Sequence, residues 1–138
     1  MTILARILNA ADQWRPPHTA FAHCDLPCGV YDPAQARIEA ESVKGCITKY
    51  QESKDPAFQQ RAIQIKEERA ELVKHHLWVL WTDYFKPPHL EEFPELHDLF
   101  WRATKAAGEV KKSVDPKDAD ALIGLIDQIG EIFWKTKS

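Results

Sequence analysis

The sequence predicts an all-α fold, an up-and-down four-helix bundle, from three observations. Asp-Pro pairs recur at Asp32-Pro33, Asp55-Pro56 and Asp115-Pro116, each setting an N-cap carboxylate before a proline at the first helical position. Four segments carry apolar residues at helical spacing. No segment shows the β-branched alternation of a strand. In order, the helices are expected at about 34–52, 56–85, 94–112 and 116–135. The first is read with a stripe of Ile38, Cys46, Ile47 and Tyr50. The second carries Phe58, Ala62, Ile65, Leu72, Val79 and Leu80, and Pro87-Pro88 terminates it. Phe93-Pro94 opens the third, with Glu95 favouring the dipole of its first turn, Leu96, Leu99, Phe100, Ala103 and Ala107 inward, and Lys111 and Lys112 at its C-terminal end. Leu122, Ile126, Ile129 and Phe133 line the fourth. Short connections between such helices give the bundle.

Composition narrows the function. With 138 residues the chain fits one domain. Eighteen Lys and Arg against 21 Asp and Glu leave a net charge of −3, which disfavours a nucleic-acid partner. No apolar run approaches the ~18 residues of a membrane span. Three cysteines, an odd count, cannot form a closed disulfide framework.

Residues 1–22 differ in character from the rest of the chain. Ile3, Leu4, Ile7 and Leu8 suit a short amphipathic helix, and Pro16-Pro17 stops it. The segment closes Ala20-Phe21-Ala22, a pattern of the kind signal peptidases read, yet it lacks a continuous apolar core. We read it as a removable leader rather than an export signal, against the alternative of an ordinary N-terminal arm.

Between this leader and the first helix runs His23-Cys24-Asp25-Leu26-Pro27-Cys28-Gly29-Val30-Tyr31. Two thiols separated by three residues, with a proline between them and a glycine after, can curl toward one point, and an imidazole adjoins them. Soft thiolates select copper(I), zinc, iron–sulfur or nickel over magnesium or calcium. Mixed sulfur and nitrogen donors in one plane suit Ni(II) better than tetrahedral zinc, and the second ligand pair of a zinc ribbon is missing. On these residues alone a metal loop, a redox-active cysteine pair and an inert turn all remain open.

The string HCDLPCGVYDP (23–33) resembles the metal-binding hook of nickel-containing superoxide dismutases. The similarity continues through PAQARIEAESVK (33–44), KEERAELVKHHLWVLWTDYFKPPH (66–89), PELH (94–97) and IFWKTK (132–137), and so spans essentially all of 23–138. The resemblance implies disproportionation of superoxide to oxygen and hydrogen peroxide, with one nickel ion per subunit. It implies thiolate ligands from Cys24 and Cys28, the Cys24 amide nitrogen, the α-amine of His23, and the His23 imidazole as axial ligand in the oxidised state. That amine exists only once a peptidase has cut between Ala22 and His23. The resemblance further implies Glu39 and Arg69 as partners of the imidazole, Tyr31 as the hook's aromatic neighbour, Asp25 fixing the hook through backbone amides, and a cis bond before Pro27. Tyr84 and Lys86 are expected near the substrate entrance, and the assembly as a homohexamer.

Other residues carry plainer readings. His75 and His76 are adjacent and face different sides of a helix, which suits core or interface roles. His89 and His97 lack carboxylate spacing, and no Glu-x-x-His pair supports a di-iron bundle. Cys46 reads as a small buried thiol, and some of the five tryptophans as subunit contacts. The competing functions are a non-catalytic nickel or copper carrier or sensor, and a helical module whose Cys24–Cys28 pair is a redox switch. Thiolates that persist fit a reducing, cytoplasmic location.

Overall fold

The three Asp-Pro pairs act alike. In the computed structural model, which describes residues 28–138, each aspartate accepts a hydrogen bond from the backbone N–H two residues on. Asp32 takes that of Ala34 at 2.8 Å, Asp55 that of Ala57 at 3.1 Å, and Asp115 that of Lys117 at 2.9 Å. One otherwise orphaned helix donor is satisfied at each start, and the proline ring presets the backbone. The helices are α1 (Ala34–Glu52), α2 (Pro56–Val79), α3 (Pro87–Glu92), α4 (Leu96–Lys112) and α5 (Pro116–Lys135). No strand occurs among the described residues. α1 packs on α2, α2 on α4, α4 on α5 and α5 back on α1, the ring of an up-and-down bundle.

Several expected boundaries and faces need correction. The second helix does not run regularly to 85. It ends at Val79 and continues as a π-helical turn, Leu80–Tyr84, closed by the Phe85 N–H donating to the Leu80 carbonyl at 3.0 Å. Pro87 and Pro88 open the short α3 instead of merely ending α2, because a proline at the first turn lacks only a donor the helix does not need. Pro94 does not begin the third helix. Pro94 and Glu95 form a turn, and α4 starts at Leu96 with Glu95 in the cap position.

The inward faces of α1 and α2 also differ from expectation. Ile38, Phe58 and Leu72 are exposed. The buried stripes are Ala36, Ala40, Val43 and Ile47 on α1, and Ala62, Lys66, Ala70, Val73 and Leu77 on α2. Small alanines on both helices let the two backbones approach, which turns the larger apolar residues outward. Cys46 is half-buried, and burial pushes its thiol above the usual range while the Arg69 and Lys66 charges oppose the rise. On α4 and α5 every expected core residue is buried, joined by Val110, Ala119, Leu125 and Ile132.

Lys66 is the buried cation of the described residues, 2% exposed. Its Nζ donates to the Lys111 carbonyl at 3.0 Å and to that of Ser113, capping the C-terminal end of α4 from the neighbouring helix. Burial lowers the ammonium's pKa, with Glu67 and Cys46 opposing the shift. Between that lowered value and the ordinary ~10.4 the unfolded chain binds more protons than the folded one, so stability rises with pH across that window. Lys66→Met has no such titrating group. Denaturant midpoints of both proteins from pH 7 to pH 10 should diverge in favour of the parent as pH rises, and the opposite trend would show that the two carbonyls outweigh burial.

Candidate functional site

Chain direction brings the start of α1, the end of α2, the start of α4 and the end of α5 to one end of the bundle. The described chain enters at this end. Cys28 is exposed there, and the Val30 N–H donates to its Sγ at 3.4 Å. An exposed sulfur that accepts an amide N–H is a soft donor within reach of an ion. Gly29 makes this approach possible, with φ +73° in the left-handed region where a side chain is strained. This part of the loop therefore fits a soft metal ion. His23, Cys24, Asp25 and Pro27, together with the expected cut after Ala22, lie outside the described residues.

Tyr31 comes next in this loop, half-buried, with its ring 5.7 Å from that of Tyr84 at an interplanar angle of 53°. Tyr84 is the hub of an aromatic cluster. Its ring lies 4.4 Å from Phe133, 5.0 Å from Phe85 and 5.7 Å from His89, the last nearly parallel. The π turn sets this position, since its extra residue per turn rotates Tyr84 and Phe85 relative to the α2 face before it. Lys86 is exposed, and its Nζ donates to the Asp83 carbonyl at 2.9 Å, at the end of that turn. The Lys86 N–H donates to Nδ1 of His89 at 3.1 Å, which holds the imidazole beside Tyr84.

Glu39 and Arg69, 30 positions apart, meet across α1 and α2. Arg69 Nη1 donates to Glu39 Oε2 at 3.3 Å, with the carboxylate largely buried and the guanidinium 41% exposed. The geometry joins Glu39 with Arg69, and Tyr31 with Tyr84. His75 and His76 are half-buried, their rings edge-on at 5.6 Å. His97 meets Trp81 edge-on at 5.5 Å, while Trp78, Trp101 and Trp134 are exposed.

Sequence reasoning missed four contributors to this end, namely His89 as a ring partner, Phe133 as a support for Tyr84, and the tail residues Thr136 and Lys137. The Tyr84 hydroxyl lies 2.6 Å from Thr136 Oγ1, across 52 positions of sequence. No local pattern signals such a contact.

The fold and this end define a helical-bundle protein with a thiol-bearing loop at one end. The profile of the nickel-containing superoxide dismutase family matches residues 18–137. The chain is 59% identical over 122 residues to the nickel superoxide dismutase of Streptomyces coelicolor, covering 88% of this chain and 93% of that protein. It is 61% identical over 116 residues to that of Streptomyces seoulensis, covering 84% and 88%. A native nickel superoxide dismutase structure superposes with a TM-score of 0.82 at 59% identity, matched over 84% of this chain and 100% of the other. A structure with nickel ligation corresponding to the oxidised state gives 0.81 at 61%, over 83% of this chain and 98% of the other. The chain belongs to the nickel-containing superoxide dismutase family. Its activity is the dismutation of superoxide and its cofactor is nickel; a carrier role is not favoured.

Proposed function

We propose that residues 1–22 are a leader, that a peptidase removes it, and that the functional unit, residues 23–138, holds nickel through His23, Cys24 and Cys28. The observation that carries this reading is that the loop bearing Cys28 runs directly into Tyr31, whose ring meets Tyr84 at the head of the bundle. The full-length match of a solved relative to 84% of this chain supports the leader boundary. When bound, the ion supplies one-electron chemistry between Ni(II) and Ni(III), so that one superoxide is oxidised to oxygen and a second, with two protons, is reduced to peroxide.

The chain's own residues do the rest. Glu39 and Arg69 orient the His23 imidazole, as the outer partners of ligating histidines do. Tyr31 and Tyr84 narrow the approach and exclude larger molecules. Asp25 ties the loop to backbone amides, and Pro27 shapes it. Lys86 adds positive charge at the entrance. Glu39→Gln keeps the shape but loses the charge that holds Arg69, and should lower activity or nickel affinity by about 10–100-fold. Nickel content and dismutation rate, measured on the same preparation, check this.

The exposed Ile38, Phe58, Leu72 and Trp101 support burial between subunits, consistent with a homohexamer. No helix among the described residues is long and apolar enough to cross a membrane. Thiolate ligands fit a reducing compartment, so the location proposed is the cytoplasm. The deciding experiment is electron paramagnetic resonance of leader-free protein reconstituted with nickel. A rhombic Ni(III) signal with axial nitrogen coupling is expected, and a silent, inactive nickel adduct would sink the ligand assignment.

A further inference from the structure

The C-terminal tail carries a cation to the head of the bundle. Thr136 Oγ1 donates to the Phe133 carbonyl at 2.6 Å. With the threonine proton committed there, the contact at 2.6 Å makes the Tyr84 O–H the donor and Thr136 Oγ1 the acceptor. This latch fixes the residue after it. Lys137 Nζ stands 4.9 Å from the centroid of the Tyr84 ring and 5.5 Å from that of Phe133, within cation–π range of both. Among the described residues Lys137 forms no ion pair. Lys86, by contrast, directs its ammonium to the Asp83 carbonyl.

We propose that Lys137, held over Tyr84 by the Tyr84–Thr136 hydrogen bond, steers superoxide to the site, and that Thr136 is its positioning residue. The proposal rests on the reading that Cys28 and Tyr31 border the nickel centre. The whole chain carries −3 and repels an anion, so attraction depends on local charge. The steps of 4.9 Å from Lys137 to Tyr84 and 5.7 Å from Tyr84 to Tyr31 together come to about one Debye length at 0.1 M salt. Cys28 is three residues from Tyr31, within about 11 Å of extended chain. At about 10 Å one unit charge in water changes the local anion concentration about twofold in the absence of salt, less at greater distance, and more in a cleft with low-dielectric walls.

The test uses nickel-loaded protein beginning at His23, as the parent and as Lys137→Gln, Thr136→Val and the double variant. Superoxide decay after pulse radiolysis is followed across ionic strength. Lys137→Gln should lower the second-order rate about two- to fivefold at low salt, with the difference closing at high salt. Thr136→Val should reproduce most of that loss although the lysine remains, and should add little in the double variant. Nickel content, the Ni(III) resonance and the thermal midpoint of Lys137→Gln should match the parent. A Lys137→Gln rate and salt slope equal to the parent's overturn the proposal and leave the nickel assignment standing. So does a loss that persists undiminished at high salt. A parent that shows no Ni(III) signal overturns both.

Discussion

A chain that retains only Ala22 ahead of His23 should dismutate superoxide near the uncatalysed background, while the same chain beginning at His23 runs at full rate. The reason lies in the peptide bond. In an amide the nitrogen lone pair is delocalised into the carbonyl, which gives the bond its partial double-bond character and leaves little electron density for a metal. After the proposed cleavage the same nitrogen is an amine whose lone pair is no longer delocalised, available as a ligand once it has lost its proton. If His23 binds through that nitrogen as proposed, a single added residue removes one donor. The loss should exceed the about 10–100-fold expected when an outer partner such as Glu39 is altered. Comparing the two chains at equal total nickel, by metal analysis after gel filtration and by dismutation rate, settles the matter. Equal rates would mean that the His23 amine is no ligand. The same donor competes with protons, so nickel retention by the cleaved chain should weaken as pH falls.

The largest effect on stability is expected at Phe133. Its side chain is fully buried, it supports Tyr84 at 4.4 Å, and Phe85 and Trp134 meet it edge-on. Phe133→Ala should destabilise the bundle by about 3–5 kcal/mol, since neighbouring rings only partly fill the space. Against a typical total of ~5–15 kcal/mol this is a large share, and the thermal midpoint should fall by roughly 10–20 °C. Phe133→Leu, closer in volume, should cost much less. Far-ultraviolet circular dichroism on heating gives both numbers, and a loss below about 1 kcal/mol for the alanine variant would contradict the packing described. Phe133 also offers the carbonyl that Thr136 grips.

The contrast between these sites shows what a linear sequence makes legible. Helix starts were readable because their cause is local, as an aspartate finds an N–H two residues away whatever the rest of the chain does. The stripes of α4 and α5 were readable because one face holds nearly all the large apolar residues. α2 offers two competing faces. Phe58, Ile65, Leu72 and Val79 recur every seven residues and are the more hydrophobic, yet the face carrying Ala62, Lys66 and Ala70 packs inward. That choice depends on the alanines of α1 and on a carbonyl end of α4 that needs Lys66, and neither is visible from within α2. In the site, Glu39 and Arg69 came from resemblance, and their meeting across 30 positions is tertiary information. Thr136 and Lys137 were missed for the same reason, since their contacts return to a π turn half a chain away.

The first described residue, Cys28, and the C-terminal tail lie at one end of this bundle, which matters to anyone handling the protein. A tag fused directly ahead of His23 would block the amine proposed as a ligand, and a C-terminal extension would follow Ser138, next to Lys137. The opposite end is the available handle. There the Ser53–Lys54 and Ser113–Val114 connections lie side by side, joined by the Gln51 amide donating to the Val114 carbonyl at 2.9 Å. A label, an affinity peptide or a surface attachment inserted into the exposed residues of the first of these leaves both termini native. Immobilised through that end, the molecule would present its reactive end outward to solution.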